Sequence, residues 1–377
     1  MSLLTLAFTV IPNAPLTLGN RRFDQDWQRY IGSLGLALLT LGLVGLRPAY
    51  PHPAYPHPPA PIPSPALSLA LGQLTQGPIA PTPIAQLTVA QTPLTPSPIA
   101  QTPIAQLTVA QNPGTAAQDW LDRGVQQVTQ GQLEPAIAAF QQAIALDPSL
   151  TPAHYNLGLA YRQTGQLQNA INSFYQATLT DPEFALAFSN LGAALLEGGN
   201  LEQAAYFLQQ AIGLEANLGL AHYNLGLVQQ QQGQWAGSVR SLQQATRLSP
   251  QAPEPFYQLG LSYQQQNQLT PAQRAFQQAI ALNPNYAEAL YSLGAIYYQQ
   301  QNLPAALDAF LRSAKANPSY AHAYYGGGLV FMVQGQYSDA ATLFQYARDL
   351  YQQQGNTGWA TQAAQQLQQA RQSPNPR

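Results

Sequence analysis

The chain contains no cysteine, a single lysine (Lys315) and few charges of either sign. Asp, Glu, Lys and Arg make up 8% of its 377 residues, against about a quarter in ordinary globular domains. The lack of cysteine excludes disulfides, thiolate catalysis, thiolate-bound metals and a lipid-modified cysteine anchor, without choosing a compartment. The shortage of basic side chains excludes an electrostatic grip on a polyanion. Residues 117–354 hold 14 acidic and 8 basic residues, a net of −6, which argues against nucleic acid more firmly than the whole-chain net of −2 does. Glutamine supplies much of the polarity instead.

Length alone would allow two or three domains, but the composition divides the chain into unlike zones. In residues 1–47, "IGSLGLALLTLGLVGL" (31–46) is an uncharged run bounded by Arg29 and Arg47, with Arg21 and Arg22 upstream. As a helix it would be about 24 Å long, short of the roughly 30 Å hydrocarbon core. A basic lead before a short apolar run predicts an export signal or, since no small-x-small cleavage site follows directly, an uncleaved membrane anchor. Membrane-anchored or periplasmic placement follows if the segment works so; otherwise the chain is cytoplasmic.

Residues 48–112 are proline-rich, with "AYPHP" in tandem at 49–53 and 54–58 and "TPIAQLTVAQ" at 82–91 and 102–111. Repeated X-Pro steps favour extended polyproline II over helix or sheet. This zone is expected to be a disordered, semi-stiff spacer with no core of its own. His52 and His57 lie there without a ligand set around them.

From Ala117 the sequence is periodic. "AHYNLGL" stands at 153–159 and again at 221–227, 68 residues apart, which is two steps of 34. Counting units of 34 from Ala117, position 8 is Gly124, Gly158, Gly192, Gly226, Gly260, Gly294 and Gly328. Position 20 is alanine with one serine (Ser238), position 24 is Phe or Leu, position 27 is Ala or Ser, and position 32 is Pro except at Ala216 and Gln352. Seven uninterrupted units result: 117–150, 151–184, 185–218, 219–252, 253–286, 287–320 and 321–354. Apolar residues at positions 4, 7, 8 and 11 form one helical stripe, and those at 20, 21, 24, 27 and 28 form a second. Glycine or asparagine at position 15 closes the first helix, with Gln301 as the exception, and proline at 32 halts the second. Glycine at 8 and a small residue at 20 remove bulk where the two helices cross.

These residues resemble the tetratricopeptide repeat family, whose signature places a large residue, Leu-Gly, Tyr, Ala, Phe, Ala and Pro at these offsets. The resemblance covers about two-thirds of the chain, and unit 153–182 follows the pattern throughout. It implies an all-α fold, an α-solenoid in which helical hairpins stack as a right-handed superhelix with first helices on the concave side. Residues 355–372, with Trp359, Ala363, Leu367 and Ala370 on one side, look like a capping helix.

Position 5 should then point into the groove beside positions 2, 9, 12 and 13. It reads Tyr155, Tyr223, Tyr257, Tyr291 and Tyr325 in five units, and position 6 reads Asn156, Asn190, Asn224 and Gln258 in four. Tyrosine offers a rigid face and a hydroxyl, and an amide pairs with any peptide unit, so these nine residues form a candidate peptide-binding groove. The alternative is that they stabilise the seams between units. A carboxylate clamp is not expected, because Arg162 is the groove's only positive charge.

Catalytic candidates are scarce. His154 and His222 fall on the core stripe two units apart, too far to share a metal, and read as satisfied core histidines. His322, at position 2, could face the groove but has no acid partner. "GGGL" (326–329) falls mid-helix and lacks the Lys-Ser/Thr of a phosphate loop. The sequence therefore predicts a non-catalytic scaffold with no cofactor or metal, a protein or peptide partner, no nucleic acid, and possible membrane attachment through residues 1–47. Self-assembly or docking in an envelope complex through convex or end surfaces, and an intracellular adaptor, are the alternatives.

Overall fold

The computed structural model describes residues 116–373. Residues 1–47 and 48–112, for which a signal or anchor and a spacer are expected, lie outside the described residues. Fifteen helices and no strand are found among the described residues. Units one to three hold α1 (Ala116–Thr129) and α2 (Leu133–Leu146), α3 (Thr151–Gln163) and α4 (Leu167–Thr180), and α5 (Ala185–Glu197) and α6 (Leu201–Leu214). Units four to six hold α7 (Gly219–Gln231) and α8 (Trp235–Leu248), α9 (Pro253–Gln265) and α10 (Leu269–Leu282), and α11 (Ala287–Gln299) and α12 (Leu303–Ala316). α13 (Ala321–Val333), α14 (Tyr337–Gln353) and α15 (Thr357–Gln372) complete the array. The expected all-α solenoid is what the chain forms.

Each first helix ends at a left-handed residue. Gly131 has φ +74°, and its amide and that of Gln132 reach back to Val128 O and Gln127 O, each at 2.9 Å, the paired bonds that satisfy the last carbonyls of a helix. Asn267 and Gln301 hold the same conformation at φ 57° and 62°. The second helices stop by a different device. Asp147, at position 31, accepts the Ser149 amide at 3.0 Å, and Asp181, Asn283 and Asn317 repeat this turn. In unit seven the corresponding residues are Tyr351 and Gln352, so neither the turn nor the proline is present. α14 runs for 17 residues and buries Tyr351 to 1% exposure.

Glycine at position 8 allows each hairpin to close. A Cβ built on Gly124, Gly158 or Gly260 would lie 2.4–2.6 Å from the ring of Phe140, Phe174 or Phe276 in the paired helix. The three glycines at 326–328 are also helical. Gly326 meets Phe310 of the preceding unit, and Gly328 meets Phe344 of its own, each at 2.7 Å from an added Cβ.

Each first helix packs on its own second helix and on that of the unit before. First helices of adjacent units also touch, as α1 does α3, α5 does α7 and α11 does α13, whereas second helices of adjacent units nowhere approach to that extent. The first helices therefore form an inner wall and the second helices an outer one. This placement corrects the single-stripe reading of the first helix. Ala153 to Ala160 are eight consecutive buried residues, as are Leu191 to Leu196 in the next unit with Ser189 and Asn190 before them. A helix flanked on three sides has no solvent face along its middle. At the end of the array α15 lays Ala360, Ala363, Leu367 and Ala370 on α14 and leaves Thr361, Gln365 and Gln368 exposed, the polar outer surface a terminal helix needs. Among the described residues no helix is long and apolar enough to cross a membrane.

Candidate functional site

The inner wall carries the nine residues singled out from sequence, but it holds them differently. Tyr155, Tyr223, Tyr257, Tyr291 and Tyr325 are between 2% and 9% exposed. Each turns into a seam rather than into the groove, which corrects the expected direction of position 5. The physical reason is a pair of ring contacts that recurs along the array. Tyr155 stands 5.8 Å from Phe174 (position 24) and 5.0 Å from Phe184 (position 34). Tyr257 stands likewise between Phe276 and Tyr286, and Tyr291 between Phe310 and Tyr320. In unit seven, Trp359 of α15 supplies the second ring for Tyr325 at 5.5 Å. Such tilted contacts favour the ring quadrupoles and bury large areas. Position 34 was not singled out in the sequence, although Leu150, Phe184, Leu218, Tyr286 and Tyr320 recur there. In units two, five and six its ring, from Phe184, Tyr286 or Tyr320, caps the tyrosine of its own unit at the start of the next first helix.

The amides take part in the same seams. Asn190 donates to the Tyr155 hydroxyl of the preceding unit at 3.0 Å and to Leu186 O at 3.0 Å, and the Tyr257 hydroxyl pairs likewise with Ser292 of the following unit. These two bonds join one unit to the next. Asn156 donates to Pro152 O at 2.9 Å. Of the six buried side-chain polar atoms without a partner among the described residues, two belong to the candidate residues, Asn156 Oδ1 and Asn224 Nδ2, on side chains that are 0% and 3% exposed. Burial pushes the Tyr257 and Tyr291 hydroxyls well above the ordinary tyrosine range, so they stay protonated and can donate.

Accessible polar groups lie further along the first helices. Gln258, Gln230 and Gln264 are half-buried, Gln231 is exposed, and Glu254 and Glu288 stand half-buried in the first turns of α9 and α11. Gln230 donates to Gln258 O at 2.9 Å and to the Ser262 hydroxyl at 2.8 Å. Arg162, expected as the groove's positive charge, is held by Glu197 of the next unit through a bidentate pair.

The histidines have structural surroundings. His154 and His222 donate from Nε2 to Pro148 O and Ala216 O, six residues earlier, at 2.9 and 3.0 Å. His322 does not face the groove. It is 8% exposed, its Nδ1 lies 2.6 Å from the Tyr351 hydroxyl, and its ring packs against Tyr291, Tyr320 and Trp359. Burial lowers its pKa to about 4.

The chain was compared with known families and structures. The family described as the cilia and flagella-associated protein 70 C-terminal domain matches residues 97–325, and the tetratricopeptide repeat family matches residues 300–355. Comparison with curated proteins gave no match. Among solved structures, a tetratricopeptide repeat protein from Parabacteroides merdae aligns at 16% identity and TM-score 0.52, over 67% of this chain and 100% of its own. PilF from Pseudomonas aeruginosa aligns at 20% identity and TM-score 0.50, over 55% of this chain and 95% of its own. YrrB, described as a TPR protein with an unusual peptide-binding site, aligns at 24% identity and TM-score 0.45, over 52% of this chain and 100% of its own.

Proposed function

The chain belongs to the tetratricopeptide repeat family, and from that premise we propose that its inner wall holds an extended segment of a partner protein. The repeat scaffold fits a protein–protein interaction role, and the fold is typically a non-catalytic one. The observation that carries the groove reading is the set of accessible amides on two adjacent first helices, Gln231 on α7 and Gln258 and Gln264 on α9, with the unpartnered atoms of Asn156 and Asn224 behind it. An amide pairs with a peptide backbone unit whatever its side chain is. Tyr155, Tyr223, Tyr257, Tyr291 and Tyr325 set the shape of this wall, and Asn190 braces it. Glu254 and Glu288 are acidic while Arg162 is occupied by Glu197, so the segment bound there is uncharged or basic.

The test selects peptides from a random library on the full-length chain and measures their affinity for variants. Gln258→Ala with Gln264→Ala is expected to weaken binding roughly tenfold, the loss of two modest hydrogen bonds. Arg312→Ala on the outer wall is expected to change nothing. Peptides poor in Asp and Glu should dominate the selection. Equal binding by the groove variant and the parent chain would sink the reading.

The array is further proposed to work outside the cytoplasm, exported or held by residues 31–46. Its support is the basic lead and uncharged run of the sequence. A fusion of residues 1–60 to a reporter active only outside the cytoplasm decides it, and an inactive fusion leaves an intracellular adaptor.

A further inference from the structure

The outer wall is not uniform along its length. Five large apolar side chains stand exposed among the described residues: Leu146 at 54%, Tyr175 at 43%, Leu179 at 55%, Tyr206 at 56% and Leu214 at 44%. All five lie on α2, α4 and α6, the second helices of units one to three. Those helices carry two charged residues, Glu134 and Glu202, both in a first turn, and α4 carries none. The second helices of the other four units each carry at least one arginine: Arg240, Arg274, Arg312 and Arg348. A single exposed leucine needs no explanation, but five large apolar side chains gathered on three successive second helices do.

Three of the five share one edge. Leu146, Leu179 and Leu214 are the last or next-to-last residues of their helices. Antiparallel pairing sets that end beside the start of each first helix, as the 2.9 Å bond from Thr151 to Thr180 shows in unit two. Ala116 opens α1 at this same edge. The 115 residues that precede it therefore join the array where the leucine row begins.

What arrives there is chemically matched. No Asp, Glu, Lys or Arg occurs between Arg47 and Asp119, and the second copy of "TPIAQLTVAQ" ends at Gln111, five residues before Ala116. Its Ile104, Leu107 and Val109 are apolar, and an uncharged chain brings no ion of its own to desolvate beside Asp147, Asp181 and Glu215, which stand half-buried just past the leucines. Residues 102–115 fully extended span about 46 Å. Adjacent second helices are bridged by the first helix between them, so each unit steps by at most two packing distances of roughly 8–10 Å, and the two steps from α2 to α6 add at most about 40 Å, within the span of the segment. A tether this short gives an effective concentration in the millimolar range, which favours this segment over an unlinked competitor.

We propose that residues 102–111 dock in cis across the outer wall of units one to three, with Ile104, Leu107 and Val109 covering the edge formed by Leu146, Leu179 and Leu214. The site is on the opposite wall from the peptide groove and independent of it. A protein that needs this face must displace the chain's own segment first.

The test puts a photoreactive amino acid at Val109 of the full-length chain, mixed in equal parts with an isotopically heavy copy. Irradiation is expected to join residue 109 to α2, α4 or α6 of the same chain. Leu179→Asp with Leu214→Asp, both at exposed positions, is expected to cut that yield roughly tenfold. Hydrogen exchange of unmodified chains gives a second readout, with residues 102–111 exchanging faster in the double variant. Cross-links between light and heavy chains would assign the face to a second copy instead. Cross-links to the inner wall, no cross-link, or a yield and exchange rate unchanged by the variant would each overturn the proposal.

Discussion

The ring of Phe174 lies so close to Gly158 that a methyl group added there would be 2.6 Å from Cδ1. The first helix of the hairpin therefore meets its partner through backbone, and Gly158→Ala must push α3 and α4 apart. Alanine in an open helix gains up to about 1 kcal/mol over glycine, whereas overpacking costs about 1–3 kcal/mol. Gly158→Ala is expected to lower the urea midpoint. Gly213→Ala, in α6 with nothing within 4 Å of the added atom, is expected to raise it. The same sign for both variants would contradict the packing account.

Ser238 replaces the alanine of position 20, and its hydroxyl lies 2.8 Å from that of Ser262, both at 0% exposure. Ser262→Ala alone leaves the buried Ser238 hydroxyl without this partner and should cost about 1–3 kcal/mol. Adding Ser238→Ala should recover the part of that loss due to the Ser238 hydroxyl, but not the part due to the Gln230 amide, which also donates to Ser262. A double-mutant cycle in urea reads the coupling. Additive losses would show that the two hydroxyls act separately.

His322 gives the end of the array a pH dependence. Its ordinary pKa of 6.5 falls to about 4 through burial. Between those values the unfolded chain binds a proton that the folded chain does not, so stability falls as pH falls. The contribution is complete above pH 6.5 and is lost on the way to pH 4, a change of about 3 kcal/mol. Comparing His322→Asn with the parent at pH 7 and at pH 4.5 isolates it from the carboxylates. The gap between the two proteins should narrow on acidification, and a constant gap would remove His322 as the cause.

Gln301 holds φ at +62°, where five other units have glycine and one has asparagine. A left-handed conformation costs a residue with a Cβ about 1–2 kcal/mol, so Gln301→Gly is expected to raise stability by about 0.5–1 kcal/mol after the entropy of glycine is counted. Thermal unfolding of the full chain measures it. A lower midpoint would mean that the Gln301 side chain stabilises the turn.

Much of this fold can be read from particular letters. Glycine at position 15 requires a left-handed turn, proline at position 32 follows the end of a second helix, and glycine at position 8 answers the bulk at position 24, all within one 34-residue window. The groove was less legible. Tyr155 and Asn190 follow a helical period that allows either face, and the sequence gives no sign that Phe184, 29 residues beyond Tyr155, folds back to cover it. A first helix enclosed by three neighbours loses the polar stripe on which amphipathic reading depends, as Ala153 to Ala160 illustrate.

By itself, then, the sequence determined that helices form, where they stop and which pairs close, because those choices rest on backbone conformation and contacts within one hairpin. Only the stacking of hairpins decided that the tyrosines and Asn190 brace seams, that His322 is shut among rings, and that five large apolar side chains gather on the outer wall of units one to three. Those outcomes depend on which surfaces neighbouring units cover, and a neighbour's position is a property of the packed array.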